Sequence, residues 1–122
     1  MNKICVRLYQ GKFQAAQDMR ALKDAGITHV LQVSNGVKPC FPKDFVYKVI
    51  NITDTSNSSL IRYFPAAISF IQEGIRKGGV LVHCYAGVSR SASCVIAYLM
   101  QQKDMSFQAA FAFASKRRPV IF

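Results

Sequence analysis

The sequence predicts an α/β fold: a single domain with a mostly parallel central sheet flanked by helices. Short β-rich runs alternate with helical ones along the chain, as they do in proteins with parallel sheets. The run 80–83 is continuously apolar, which is typical of a strand buried on both faces. A length of 122 residues suits one domain, and 51% hydrophobic residues exclude a disordered chain.

The first half of the chain contains signals for three strands and one helix. We predict strands over 4–9, 28–34 and 45–50, and a helix over 13–24. Gly26 is placed to end the helix, and Asn35 with Gly36 is a turn signal after the second strand. A polar loop that contains Pro42 should lead into the third strand.

In the second half of the chain, the sequence predicts three helices and one strand. The helices cover 60–75, 91–102 and 106–116, and the strand covers 80–83. Pro65 indicates that the first of these helices begins only a few residues earlier or kinks there. Ser106 is a good N-cap for the last helix, and Pro119 should end it. The helix over 91–102 is apolar almost all round and should be buried, with Cys94 in the core.

Charge and apolar runs limit the classes of partner and location. Sixteen Lys and Arg against six Asp and Glu give a net charge of +10, which indicates either a solvated basic surface or an anionic partner such as phosphate, nucleic acid or acidic lipid. The longest apolar run, 94–100, is far shorter than the ~18 residues of a membrane span. The chain start lacks the apolar core of a secretory signal. We therefore expect a soluble protein without a membrane span, cytoplasmic or also nuclear.

Cysteine and histidine spacing disfavours disulfides and metal sites. The two histidines are His29, which we interpret as structural, and His83. No cysteine pair has CxxC spacing, so neither a disulfide framework nor structural zinc is expected. The four cysteines are Cys5, Cys40, Cys84 and Cys94.

The segment HCYAGVSRS, residues 83–91, has the pattern of an anion-binding loop between a buried strand and a buried helix. Such a loop directs backbone N–H groups and the positive end of the helix dipole at one point. Gly87 suits the backbone angles of this loop, and Arg90 could hold two phosphate oxygens. Cys84 at the strand end would be favoured as a thiolate and could attack a phosphate monoester.

These residues resemble the HCxxGxxR signature of cysteine-based protein tyrosine phosphatases, and the form HCxAGxSRS is that of the dual-specificity branch. The resemblance continues at 4–11, 26–31 and 117–119. It implies a phosphate-binding loop and hydrolysis of phosphotyrosine and phosphoserine or phosphothreonine through a cysteinyl-phosphate intermediate. Phosphorylated proteins are the implied substrates, and neither a cofactor nor a metal is expected because backbone amides and Arg90 supply the positive charge.

Within this resemblance, Asp54 is the candidate general acid. It lies in a Ser/Thr/Asn-rich loop, 30 positions before Cys84, and resembles the general-acid loop of dual-specificity phosphatases. Asp44 is the rival candidate and is more simply an ordinary loop residue.

Other site residues follow from the same resemblance. Ser91 resembles the hydroxyl that stabilises the cysteine thiolate as it leaves; a helix-start cap is the other interpretation, and the two roles are compatible. His83 is expected to hydrogen-bond backbone around the loop and tune Cys84, or to be a satisfied core histidine. Main-chain N–H groups supply most phosphate contacts, from the residues Tyr85, Ala86, Gly87, Val88, Ser89 and Arg90.

Three alternatives remain open at this stage. The same chemistry could act on a phosphoinositide or an RNA 5′-phosphate, although lipid phosphatases of the superfamily tend to place lysines where Tyr85, Ala86 and Val88 stand. The chain could be a non-catalytic phosphate-binding module or a nucleic-acid binder, which is the least favoured interpretation since Cys84, Arg90 and Asp54 are all present. Redox pairing of Cys84 with another cysteine is open, with no partner assigned.

The C-terminal end differs from the usual pattern of the family. Its members usually continue past the Arg-Arg-Pro segment into a final helix, whereas this sequence stops at Phe122. Exposed apolar residues over 120–122 would then favour self-association of the chain.

Overall fold

The computed structural model describes residues 1–34, 37–52, 60–85 and 90–118, and it confirms the predicted fold class. Its strands are β1 (Asn2–Cys5), β2 (Leu8–Lys12), β3 (His29–Val33), β4 (Val46–Ile50) and β5 (Val80–Cys84). Its α-helices are α1 (Met19–Asp24), α2 (Phe64–Lys77), α3 (Arg90–Gln102) and α4 (Phe107–Arg117), and two short 3₁₀ helices cover Phe13–Gln17 and Ile61–Tyr63.

The sheet places the end of β5 at its centre. Its strand order is β1-β2-β5-β3-β4, and β5 pairs in parallel with both β2 and β3. The register sets Lys12 of β2 beside Cys84, and Gln10 beside Val82. In parallel sheets, residues at the carboxyl ends of the strands meet at one edge. The last residue of β5 therefore lies in the middle of that edge.

Both faces of β5 are covered, as the continuously apolar run predicted. Val80, Val82 and Cys84 belong to the larger core, which includes Ile71 of α2 and Leu99 of α3. The intervening residue Leu81 belongs to the smaller core on the other face, together with residues of the first 3₁₀ helix and α1. All five residues of β5 are buried, which fixes the strand end against both layers.

The prediction of one strand over 4–9 is wrong. The structure divides this region into β1 and β2, which pair antiparallel with Asn2 opposite Gln10. The chain reverses at Val6 and Arg7, where Arg7 takes the left-handed φ of 65°. Val6 is 72% exposed because it lies in the turn.

The prediction of one continuous helix over 13–24 is also wrong. The 3₁₀ helix ends at Gln17, and Asp18 separates it from α1. Asp18 is the N-cap of α1: its Oδ1 accepts a hydrogen bond from the Ala21 N–H at 3.0 Å. The predicted end of this helix is confirmed, since Gly26 follows it with a φ of 77°.

The helix boundaries of the second half agree with the sequence signals. Pro65 lies in the first turn of α2, and the Ser106 hydroxyl caps α4 by accepting from the Ala109 N–H at 3.1 Å. The predicted turn at Asn35 and Gly36, the stop at Pro119 and the apolar end over 120–122 lie outside the described residues.

Candidate active site

The site forms where β5 ends and α3 begins. Cys84 is the last residue of β5 and is 2% exposed. Arg90 is the first residue of α3 and is half-buried, and Ser91 follows it fully buried. The predicted loop residues Ala86, Gly87, Val88 and Ser89 lie outside the described residues, as does Asp54.

The predicted nucleophile and the predicted thiolate-stabilising hydroxyl are in contact. Cys84 Sγ lies 3.3 Å from Ser91 Oγ, and both side chains are buried. The Gln10 side chain, which is also buried, donates from Nε2 to the same Ser91 oxygen at 3.1 Å. A hydroxyl has one donor and two acceptor positions, so Ser91 can accept from Gln10 while it faces the sulfur.

Arg90 connects the site to the segment that leads to Asp54. Its Nη1 donates to the Ile52 carbonyl at 2.9 Å. Ile52 is buried two residues before Asp54. A guanidinium carries five N–H donors in a planar fork, so the Ile52 bond is compatible with further bonds to a phosphate.

Tyr85 and Phe13 form an aromatic pair beside Cys84. Their rings stack with centroids 5.9 Å apart and an interplanar angle of 11°. The Phe13 N–H donates to the Tyr85 carbonyl at 3.2 Å, which ties the first residue after β5 to the first 3₁₀ helix. The Tyr85 side chain is 65% exposed and therefore lines the outer rim of the site.

His83 is buried next to Cys84 on the opposite face of β5. Burial lowers its pKa to about 4, so the ring is neutral at pH 7. Neither ring nitrogen has a hydrogen-bond partner among the described residues. The loop in which the sequence analysis placed such partners is not part of the described chain, so its tuning of Cys84 stays a prediction.

The low pKa of His83 predicts acid sensitivity of the fold. The ordinary histidine pKa is 6.5. Between pH 6.5 and about 4, His83 is therefore protonated in the unfolded chain and neutral in the folded chain. The free energy of unfolding should therefore fall as the pH drops through this window, with His83 contributing up to about 3 kcal/mol. Urea unfolding at pH 6.5, 5.5 and 4.5 measures this change. His83→Gln should lose stability less steeply, and an equally steep loss in that variant would contradict the assignment.

The other three cysteines, all among the described residues, form no disulfide. Cys94 is fully buried in the larger core, as predicted, and burial together with its Coulombic interaction with Cys84 raises its pKa to about 12. Cys5 and Cys40 are half-buried. In the part of the chain that the structure describes, no group of three His, Cys, Asp or Glu side chains could hold a metal ion, and no helix has the length and apolar character to cross a membrane.

Gln10 is the site residue that the sequence analysis missed. A signal does exist: Gln10 stands two positions after the core residue Leu8, and alternation along a strand places both on one face. A polar side chain at such a position needs a buried partner. The identity of that partner, 81 residues away, depends on the packing of α3 against β2.

Comparison with known proteins identifies the family. Residues 8–122 match the model of the dual specificity phosphatase catalytic domain. The chain is 42% identical to dual specificity protein phosphatase 1 of Arabidopsis thaliana over 93% of its own length, and it spans 58% of that relative. It is 43% identical to dual specificity protein phosphatase 1B of the same plant, covering 97% of this chain and 71% of the relative.

A solved structure agrees over the whole chain. It is that of the human tyrosine phosphatase-like serine/threonine/tyrosine-interacting protein, with a TM-score of 0.95, 36% identity, and coverage of 100% of this chain and 86% of the other. The chain therefore belongs to the dual specificity phosphatase catalytic domain family, as the segment 83–91 predicted.

Proposed function

We propose that this protein is a cysteine-dependent phosphatase that hydrolyses phosphotyrosine and phosphoserine or phosphothreonine in phosphorylated proteins. One observation carries the proposal: Cys84 ends the central strand with its Sγ 3.3 Å from the Ser91 hydroxyl, in the first turn of a helix that begins with Arg90. Membership of the family supports the reaction class.

In the first step, Cys84 acts as the nucleophile. Its thiolate attacks the phosphorus of the monoester, an S–P bond forms, and the P–O bond to the leaving group breaks. Arg90 and the backbone N–H groups of residues 85–90 bind the phosphate oxygens as charge develops on them. No metal is needed for this charge stabilisation.

Asp54 donates the proton that the leaving oxygen needs. The Arg90 bond to the Ile52 carbonyl supports this role because it fixes the start of the predicted acid loop at the phosphate-binding arginine.

The proposed substrates are protein side chains because the rim of the site is aromatic and exposed. Tyr85 and Phe13 present a stacked surface on which a peptide could pack. Phosphoinositides and RNA 5′-phosphates are tested alongside phosphopeptides, since the net charge of +10 would also attract those polyanions.

The proposal is tested by hydrolysis of p-nitrophenyl phosphate from pH 5 to 8 with a chelator present. We expect turnover without added metal, fastest on the acidic side of neutral, where thiolate and protonated general acid coexist. Peptides with phosphotyrosine, phosphoserine or phosphothreonine should release phosphate in the same assay. A folded chain that hydrolyses none of these substrates, or one that stops when the chelator is added, would refute the proposed function.

A second candidate is a non-catalytic phosphopeptide-binding module. The observation in its favour is the TM-score of 0.95 to a protein described as tyrosine phosphatase-like and as an interacting protein. This candidate predicts binding of intact phosphopeptides with no release of phosphate. Titration calorimetry with a phosphotyrosine peptide, followed by phosphate assay of the same sample, separates the two candidates.

A further inference from the structure

Gln10 is a buried amide in a mainly apolar layer. It is 0% exposed and shares its strand face with Leu8, in the core that also contains Val82 and Cys84. Its Nε2 donates to Ser91 Oγ at 3.1 Å, while its Oε1 has no partner among the described residues. Burial of an amide costs free energy that one hydrogen bond only partly offsets. An apolar side chain of similar size would therefore stabilise the core more. The presence of an amide at this position indicates a role other than stability.

Hydrogen bonds link the three side chains through the Ser91 hydroxyl: Gln10 Nε2 and, while Cys84 is a thiol, Cys84 Sγ both donate to Ser91 Oγ. When Gln10 donates to the Ser91 oxygen, it occupies one of the two acceptor positions of the hydroxyl. Once Cys84 has lost its proton, the single hydroxyl proton can point to Sγ, 3.3 Å away. A hydroxyl that accepts a hydrogen bond is a stronger donor, so Gln10 should strengthen the bond from Ser91 to a thiolate.

We propose that Gln10 is a positioning residue for Cys84 that acts through Ser91. It holds the Ser91 hydroxyl in place and polarises it, so that this hydroxyl stabilises negative charge on Sγ. The expected effect of Gln10 on kcat rests on the proposed function. Its expected effect on the Cys84 thiolate does not, because that effect can be measured without substrate turnover.

We expect Gln10 to affect the rate of the second step, the hydrolysis of the cysteinyl phosphate. Water attacks the phosphorus of the cysteinyl phosphate, an O–P bond forms, and the S–P bond breaks with its electron pair going to Sγ. The water proton goes to the Asp54 carboxylate, which lost its own proton in the first step. Because Sγ leaves as a thiolate, the Ser91 hydroxyl supported by Gln10 lowers the barrier of this step.

The first test measures the thiolate directly. Parent, Gln10→Met and Ser91→Ala are treated with iodoacetamide across pH 4 to 9, and alkylation of Cys84 is followed by peptide mass spectrometry. Since only the thiolate reacts, the rate reports its population. We expect the pH midpoint to rise in both variants, with alkylation at a fixed pH below the midpoint slowed about 3- to 10-fold by Gln10→Met.

The second test places Gln10 on the same path as Ser91. With p-nitrophenyl phosphate, Gln10→Met should lower kcat about 3- to 10-fold and produce a burst of nitrophenol, because the second step becomes rate-limiting. In a Ser91→Ala background, Gln10→Met should lower kcat no further.

The matched control is Gln32→Met. Gln32 is also a buried glutamine of the sheet, at 1% exposed, but its amide donates to the Val37 carbonyl. We expect this substitution to change stability and to leave the pH midpoint of Cys84 alkylation unchanged. If Gln10→Met does not fold, Gln10→Leu is the second variant, since removal of a buried amide in favour of an apolar group is usually tolerated.

The outcomes of these tests separate the positioning role of Gln10 from the proposed function. An unchanged alkylation midpoint in Gln10→Met overturns the inference, as does a full additional loss of kcat in the Ser91→Ala background. If the parent alkylates with the expected dependence on Gln10 but hydrolyses no substrate, the positioning role stands and the proposed function fails. If the parent hydrolyses substrate and Gln10→Met matches it in both assays, the proposed function stands and the positioning role fails.

Discussion

Replacement of Cys84 by serine is expected to abolish hydrolysis of p-nitrophenyl phosphate, a loss on the order of 10⁴-fold or more. A serine hydroxyl stays protonated across pH 5 to 8 and is a poor nucleophile, whereas the proposed first step needs a thiolate, which cysteine can supply. The smaller oxygen fits the buried position of Sγ, so the fold should persist. Initial rates of nitrophenol release measure the loss, and circular dichroism checks the fold.

Cys94→Ala is the matched control for this substitution. Cys94 is buried in the same core, but its pKa is raised to about 12, so it is not a nucleophile near neutral pH. The variant should keep most of the parent kcat while losing some stability, since it removes a buried sulfur from a packed layer. Retention of a tenth or more of the parent rate in Cys84→Ser would show that another group attacks the phosphate.

The central part of the fold could be predicted because local signals there agree with tertiary packing. The run 80–83 is apolar without interruption, and the structure buries it on both faces of the sheet. The following loop sequence and the apolar helix after it indicated where β5 ends and α3 begins. The resemblance of residues 83–91 to the family signature implies the pairing of Cys84 with Ser91, and the structure brings the two side chains into contact.

Other features were not predicted because their local signals are weak or because their partners are distant in the chain. The reversal at Arg7 contains no glycine, proline or asparagine, so the region 4–9 resembles one strand. Asp18 interrupts an otherwise helical composition, and only its hydrogen bond to Ala21 shows that a new helix begins there. The pairing of Gln10 with Ser91 depends on β2 lying beside β5, an order that the sequence alone does not determine.

Replacement of Asp54 by asparagine is expected to lower kcat/KM for phenyl phosphate by about 10²- to 10⁴-fold, the usual contribution of a general acid. Asparagine keeps the size of the side chain but has no proton of suitable acidity to give. The falling limb of the pH profile above the optimum, which reports loss of the acid's proton, should disappear in the variant. Measurement of kcat/KM from pH 5 to 8 on parent and variant checks both statements.

Substrates with different leaving groups distinguish a general-acid role of Asp54 from a structural role. Nitrophenolate leaves readily without a proton, so Asp54→Asn should affect p-nitrophenyl phosphate less than phenyl phosphate, and a phosphoserine peptide most of all. Asp44→Asn is the control, because Asp44 lies at the surface with its Oδ1 3.8 Å from Lys23 Nζ and should leave every substrate unchanged. Equal losses on all substrates would indicate that Asp54 supports the fold of the site. If Asp44→Asn instead lost activity selectively on substrates with poor leaving groups, Asp44 would be the general acid.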